Sequence, residues 1–172
     1  MPKYIMSFEG EYRFLSNFVA AKVKIPKLYL NDSTKDASER YPTTEHAYQA
    51  AKTISPTERT YVREATTPGS AKRRGREITL RSDWEAIKDH VMLDLLRAKF
   101  SHEYPELKQK LIDTGDAILV EGNTWHDNHF GVCTCIRCGS IGKNVLGEAL
   151  MRVRKEVQIT VVEYGRKEEH SE

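Results

Sequence analysis

One short segment of the chain, residues 41–52 (YPTTEHAYQAAK), combines a helix start with a stripe of polar side chains. Proline and threonine favour the first turn of a helix, so the segment predicts a helix that begins near Pro42. At helical spacing one face then carries a carboxylate, a phenol, an amide and an amine, from Glu45, Tyr48, Gln49 and Lys52. Such a face is either an ordinary solvated surface or the wall of a cavity, and the alanines beside it, which allow close helix packing, favour the cavity.

A second segment with groups that could do chemistry is the loop at 125–131 (WHDNHFG). It follows an apolar run at 117–121 that is typical of a short strand. Its acid, Asp127, is accompanied by an amide, two imidazoles and the indole of Trp125, which is more than a connecting loop needs. We therefore expect this loop to have a functional role.

The elements that must position these segments follow from periodicity and from helix start and stop signals. Short strands are predicted within residues 4–25, including YIMSF, YRFL and VAAKVKI, and an edge strand at 158–164, whereas residues 30–40 read as an exposed loop. Within the first of these regions, Ser16 and Asn17 predict either a capped turn or a substrate-orienting amide. Further helices are predicted at 55–65, from about 70, at 83–100, from 105 to a C-cap at Gly115, and at 144–154.

Length and composition indicate one ordinary globular domain of 172 residues, with 39% hydrophobic and 30% charged residues. No apolar run approaches the length of a membrane span and no signal segment is recognised, so we expect no membrane association and a cytoplasmic location. A net charge of +2 is too small to predict a general nucleic-acid surface. One local basic cluster could meet a phosphate, formed by Lys72, Arg73, Arg74, Arg76 and Arg81.

Three cysteines lie within six residues, Cys133, Cys135 and Cys138, near His126 and His129. An odd count does not suggest a disulfide framework, and it agrees with a reducing compartment. A zinc site is conceivable, but the usual two-pair spacing of ligands is absent. A loop with packed or free thiols is therefore favoured, and neither a metal nor a cofactor is predicted.

The chain resembles the YbiA-like family, also called the NADAR domain, over nearly its full length. The resemblance rests on six motifs in order: FEGEYRFLSNF (8–18), YPTTEHAYQAAK (41–52), RSDWE (81–85), VMLDLLRAKF (91–100), LIDTGDAILVEGNTWHDNHFG (111–131) and GKNVLGEALMRVR (142–154). It implies a compact, mainly α fold with a few short peripheral strands, spanning residues 1–157, followed by a strand and a charged tail at 158–172.

The resemblance also implies N-glycosidase activity without a metal. Members of the family are associated with cleaving aminopyrimidine ribose phosphates of the riboflavin pathway, and others with removing ADP-ribose from guanine in nucleic acid. The family positions correspond most clearly to Glu45, Trp84 and Asp127, and more weakly to Asn17, Lys52 and Glu121. Predicted catalytic residues are Glu45, Asp127 and Lys52; predicted substrate-binding residues are Asn17, Phe18, Tyr48, Gln49, Arg81, Trp84, Glu121, Trp125 and Asn144.

The residue chemistry is consistent with that activity. Loss of a base from ribose passes through an oxocarbenium-like state that a carboxylate stabilises while a second group activates water or protonates the base. If Glu45 and Asp127 face each other across a cleft, their pKa values would be pushed apart, which leaves open which is the acid. Alternatively, Lys52 attacks C1 of the sugar and forms a Schiff base. Trp84 would stack on the base, Asn17 and Gln49 would hold ribose or base edges, and Arg73, Arg74 or Arg81 would neutralise phosphate.

Two other function classes stay open on the sequence. One is a non-catalytic module that binds ADP-ribose or a related nucleotide in the same cleft, and the other, ranked last, is a zinc-stabilised interaction protein. Within the enzyme hypothesis, the small net charge favours a small-molecule ribose phosphate, while the local basic cluster keeps ADP-ribosylated nucleic acid as a possible partner. The sequence leaves the oligomeric state open.

Overall fold

The structure is a computed structural model that describes residues 3–30 and 38–169. In chain order its strands and α-helices are β1 (Tyr4–Ile5), β2 (Ala20–Val23), β3 (Tyr41–Thr43), α1 (Thr44–Ala50), α2 (Pro56–Arg63), α3 (Pro68–Arg74), α4 (Trp84–Lys99), α5 (Pro105–Asp113), β4 (Ile118–Leu119), β5 (Gly122–Asn123), β6 (Val132–Cys133) and α6 (Val145–Glu169). Two 3-10 helices add Gly10–Leu15 and Lys27–Tyr29. This confirms the predicted mainly α class with a few short strands.

The chain divides into two units, one formed by the residues up to Leu15 together with those from Phe100 onward, and the other by Ser16–Lys99. In the Ser16–Lys99 unit, β2 pairs antiparallel with β3, and α1 packs against α2, α3 and α4. In the other unit, β1 pairs with β4 and β5 with β6, both parallel, and α6 packs against α5 and β4. None of the helices in the described ranges is long and apolar enough to cross a membrane.

The helix starts follow the local sequence. Side-chain oxygens of Thr43, Ser55 and Thr67 accept hydrogen bonds from backbone N–H groups in the first turns of α1, α2 and α3. In α2, α3 and α5 a proline occupies the first turn, where a missing N–H costs nothing. The predicted stop at Gly115 is also present, since this residue has a φ of 59° after the end of α5. These helices were therefore predictable from local signals alone.

Two predicted strands are wrong. Residues 12–15 (YRFL) belong to the 3-10 helix Gly10–Leu15, which begins with a bond from the Tyr12 N–H to the Glu9 carbonyl and buries Leu15. Residues 158–164 belong to α6, which runs on past the predicted end at Arg154. Their β-branched residues favour a strand, but a helix already formed gains one hydrogen bond for each added residue. The predicted loop at 30–40 lies mostly outside the described residues, as does the end of the tail.

Candidate functional site

The polar stripe of α1 is buried. Glu45, Tyr48 and Gln49 are 6%, 5% and 4% exposed, and the alanines on the other flank are fully enclosed as well. The solvated-face alternative is therefore excluded for these three residues. Burial of a carboxylate and an amide is costly unless they bond to one another or to a ligand, so the stripe is the first place to look for a binding site.

Glu45 is held by two short contacts. Its Oε1 accepts a hydrogen bond of 2.8 Å from the Nε2 of Gln49, one helical turn later. Its backbone N–H donates to the carbonyl of Asn17 at 3.1 Å, which ties the start of α1 to the predicted Ser16–Asn17 turn. The carboxylate therefore has a fixed position beside the Gln49 amide, and the backbone of Glu45 is fixed to that of Asn17.

Three buried side-chain oxygens on α1 and on the turn bonded to it have no hydrogen-bond partner among the described residues: Asn17 Oδ1, Gln49 Oε1 and Thr44 Oγ1. The amide nitrogen of Asn17 is 3.4 Å from the sulfur of Met92, which is a weak acceptor. Leaving a buried polar atom unsatisfied costs about 1–3 kcal/mol, and in native proteins such atoms call for a specific explanation. A bound molecule with hydroxyl or amino donors would satisfy them.

Lys52 follows the end of α1 and is half-buried. Burial lowers the pKa of its ammonium group, Glu45 opposes this by its negative charge, and Lys72 and Arg76 reinforce it by their positive charges. Its Nζ lies 6.0 Å from the centre of the Tyr48 ring. A lysine with a lowered pKa beside a carboxylate is suited to act as a nucleophile.

Trp84, predicted to stack on a base, is 4% exposed and packs against Tyr48 with a centroid distance of 5.0 Å and an interplanar angle of 59°. The more exposed predicted aromatic of this unit is Phe18, at 39%, directly after Asn17. The stacking role of Trp84 and the substrate contact of Phe18 remain predictions. What the structure shows is that the buried Trp84 and Tyr48 rings pack against each other.

Arg81 forms several hydrogen bonds that fix the segment before α4. Its Nε and Nη2 donate to the two carboxylate oxygens of Asp83 at 2.6 and 3.0 Å, and its Nη1 donates to the carbonyl of Tyr29 at 2.7 Å. Its backbone N–H also donates to the carbonyl of Lys52 at 2.8 Å. These bonds give Arg81 a positioning role for Lys52, and direct contact with substrate remains a prediction.

The basic cluster is split by its contacts. Arg74 donates to the carbonyl of Tyr61, and its Cζ lies 4.5 Å from the centre of the Tyr61 ring. Arg73 donates to the hydroxyl of Ser70. By contrast, the charges of Lys72 and Arg76 are felt at Lys52. Lys72 and Arg76 are thus the members of the cluster that lower the pKa of Lys52.

Lys99, at the end of α4, is a buried amine to which the sequence analysis assigned no role. It is fully enclosed, and its Nζ donates to the carbonyl of Ser16 at 2.7 Å. Burial lowers the pKa of this amine to about 7. Its spacing from Met92, Leu95 and Leu96 on the apolar face of α4 was the available signal, because a lysine on a core face requires a buried partner.

In the other unit, the Asp127 carboxylate organises its own loop. Its Oδ1 accepts from the backbone N–H groups of His129 and Phe130 at 3.2 and 2.9 Å. The Asn123 side chain holds the Asp127 backbone from both sides, with Nδ2 donating to its carbonyl at 2.8 Å and Oδ1 accepting from its N–H at 3.2 Å. Glu45 and Asp127 belong to different units, and their pairing across a cleft stays a prediction.

Asn144 and Glu121, both predicted to bind substrate, are neighbours. The Asn144 Oδ1 accepts from the Glu121 N–H at 3.0 Å and its Nδ2 donates to the Leu119 carbonyl at 2.8 Å. Asn144 has a φ of 53°, a left-handed conformation that asparagine tolerates better than most residues. Its amide therefore positions Glu121, while Trp125 is 58% exposed in the following loop. Substrate contact by these residues remains a prediction.

Comparison with known proteins connects this arrangement to one family. The model of the NADAR domain matches residues 4–158. N-glycosidase YbiA of Escherichia coli (strain K12) is 33% identical over 159 residues, which cover 89% of this chain and 86% of that protein. Riboflavin biosynthesis protein PYRR, chloroplastic, of Zea mays is 38% identical over 133 residues, which cover 70% of this chain but 20% of that longer protein.

The fold is similar as well. The NMR structure of the Escherichia coli protein YbiA aligns with a TM-score of 0.74 and 33% sequence identity, covering 95% of this chain and 90% of that one. At this level of identity, agreement in fold and agreement in sequence support each other.

Proposed function

The chain belongs to the NADAR domain family, and on this premise we propose that it is an N-glycosidase that hydrolyses the bond between C1 of a ribose phosphate and a nitrogenous base. The observation that carries the proposal is the buried carboxylate of Glu45, bonded to Gln49 and accompanied by amide oxygens without partners. The names of the relatives, N-glycosidase and riboflavin biosynthesis protein, support the same reaction class.

The three acceptor atoms fit a sugar. Ribose offers hydroxyl donors, and the Oδ1 of Asn17 and the Oε1 of Gln49 could accept from them beside the Glu45 carboxylate. As positive charge develops at C1, a carboxylate fixed in a site that excludes water stabilises it more strongly than it would in water. Gln49 thus has two tasks, since its nitrogen orients Glu45 and its oxygen can receive the substrate.

We assign the attack on C1 to Lys52. The neutral amine adds to C1 and gives a proton to Glu45, while the C1–N bond breaks and its electron pair leaves with the base, to which Glu45 then passes that proton. The ring C1–O bond opens as the remaining N–H proton moves to the ring oxygen, which gives a Schiff base, and water hydrolyses the Schiff base to restore the amine and release the sugar phosphate. The lowered pKa of Lys52 supports this route because it raises the fraction of neutral amine. In the alternative route, Glu45 activates water for direct attack.

For the substrate, we propose an aminopyrimidine ribose phosphate in preference to ADP-ribosylated guanine. The charges of Lys72 and Arg76 beside Lys52 would suit one phosphate group. A net charge of +2 offers little additional attraction to a nucleic acid. The riboflavin biosynthesis relatives support the same choice.

The test is chromatography of products after the purified protein is incubated with the aminopyrimidine ribose phosphate or with an ADP-ribosylated guanine oligonucleotide. We expect the wild-type protein to release free aminopyrimidine, and Glu45→Gln and Asp127→Asn to reduce that rate by about 10²-fold or more. Glu106→Gln, which alters an exposed carboxylate on α5, is the matched control. Release of ADP-ribose instead would identify ADP-ribosylated guanine as the substrate. Binding without any release would identify the protein as a non-catalytic nucleotide-binding module.

A further inference from the structure

Four soft metal-ligand side chains converge in the unit that contains Asp127: His126, Cys133, Cys135 and Cys138, named here the thiol cluster. One ligand atom from each lies within 4.8 Å of the other three. The Nδ1 of His126 is 3.2 Å from the sulfur of Cys138, 3.4 Å from that of Cys135 and 4.0 Å from that of Cys133. All three cysteines are free thiols.

Hydrogen bonding alone does not account for this arrangement. The single lone pair or the single proton on Nδ1 of His126 can serve one sulfur well, yet three sulfurs surround it. A tetrahedral zinc ion with Zn–S of about 2.3 Å and Zn–N of about 2.0 Å places nitrogen roughly 3.5 Å from each sulfur. The three observed distances, 3.2, 3.4 and 4.0 Å, lie on both sides of that value.

The surroundings of the sulfurs suit thiolates. The backbone N–H of Cys138 donates to the sulfur of Cys135 at 3.3 Å, and the Nδ2 of Asn128 donates to the sulfur of Cys138 at 3.5 Å. Donors of this kind stabilise metal-bound sulfur and orient it. The backbone is also adapted, because His126 has a φ of 67°, which is uncommon for a residue other than glycine.

We propose that the thiol cluster is a structural Zn²⁺ site with three thiolates and one imidazole as ligands. Four protein ligands leave no open position for substrate, which is the pattern of a structural rather than a catalytic zinc. The proposed ligands join two parts of the chain, because His126 precedes Asp127 while the cysteines lie in β6 and in the turn after it. The ion would hold the Asp127 loop against β6, where β5 and β6 share only two residue pairs.

The experiment measures metal in protein purified without chelators or a metal-affinity step. We expect about one zinc per chain by elemental analysis. Cys135→Ser and Cys138→Ser should each lose most of it, and His126→Ala should bind it more weakly. His129→Ala, which changes the other imidazole of the same loop, is the matched control and should keep its zinc. Replacement of zinc by Co²⁺ should give the intense visible bands of a tetrahedral thiolate site.

A readout on the wild-type protein covers the case in which the cysteine variants do not fold. Titration with a mercurial reagent should modify three thiols and release one zinc in step, detected with a colorimetric chelator. Protein that contains less than about a tenth of an equivalent of zinc and shows no thiolate bands after Co²⁺ addition overturns the proposal. So does a single reactive thiol, which would indicate a disulfide between two of the cysteines, or an unchanged zinc content in the Cys135→Ser and Cys138→Ser variants.

Discussion

Gly75, the residue that ends α3, controls the position of Gln49. It has an ordinary right-handed helical conformation, with φ −64° and ψ −6°, so its backbone would accept an alanine. The obstacle is space, because a Cβ at this position would lie 2.1 Å from the Oε1 of Gln49 and 2.9 Å from its Cβ and Cδ. A rotation of the terminal amide cannot relieve contacts with the Cβ, so Gly75→Ala must push α1 and α3 apart or displace the whole Gln49 side chain.

The expected magnitude follows from three contributions. Overpacking of a buried site costs about 1–3 kcal/mol. Loss of the hydrogen bond from Gln49 to the Glu45 carboxylate costs roughly 1.5–3 kcal/mol where the contact is broken. Replacing glycine by alanine in an accessible conformation returns only about 0.4–1 kcal/mol through the unfolded state. We therefore expect Gly75→Ala to lower the free energy of unfolding by about 3 kcal/mol.

The assay is urea unfolding, with Gly69→Ala as the matched control on the same helix. A Cβ on Gly69 would meet only the Oγ1 of Thr67, at 4.0 Å, so this substitution should be neutral or stabilising. Adding Gln49→Ala to Gly75→Ala should recover about 1 kcal/mol, since the atoms that clash beyond Cβ are gone. Equal unfolding free energies for the two glycine variants, within about 0.5 kcal/mol, would refute the reasoning.

The remaining predictions concern three ionisable side chains. Burial lowers the pKa of His46 in the folded protein, where its Nε2 donates to a backbone carbonyl, so the unfolded chain binds more protons at this residue. The free energy of unfolding should therefore fall as the pH drops below about 6.5. Urea unfolding should show this pH dependence in the wild type and in the His102→Gln control but not in His46→Gln. Burial lowers the pKa of Lys99 to about 7 in the folded protein, so the unfolded chain binds more protons there and the free energy of unfolding should rise from pH 7 towards about pH 10. An unfolding free energy that does not change with pH in the wild type, or the same pH dependence in Lys99→Met, would contradict this. Lys52 should be trapped on the sugar by borohydride during turnover, giving a mass adduct absent from Lys52→Arg; if wild type turns over without an adduct, direct attack by water is the route.

The helices of the site were predictable because their signals are local. Thr43, Ser55 and Thr67 each precede a helix and accept from its first-turn N–H groups, and the spacing that places Glu45 beside Gln49 is set by helical geometry. The two failed strands come from segments where local preference and the surrounding fold disagree. Residues 158–164 are rich in β-branched side chains yet continue a helix that began at Val145.

The contacts that define the site could not be predicted from the sequence, because they join segments far apart in the chain. Lys99 reaches the carbonyl of Ser16, and Gly75 makes room for Gln49, yet no spacing rule links the members of either pair. The thiol cluster is different, because its members are close in the chain and the sequence already placed His126 and His129 near the cysteines. The structure adds that His126 is the imidazole whose ring nitrogen lies among the three sulfurs.

Residue type alone therefore does not separate ligands of the substrate from parts of the scaffold. Arg81 and Asn144 were both predicted to bind substrate; their polar atoms bond to Asp83 and to backbone groups of the protein, and their contact with substrate stays a prediction. Asn17 and Gln49 have the same kind of side chain as Asn144, and each has a buried oxygen without a partner among the described residues. Since a buried oxygen without a partner costs about 1–3 kcal/mol, the unpartnered oxygens of Asn17 and Gln49 support the proposed sugar contacts more directly than residue type does.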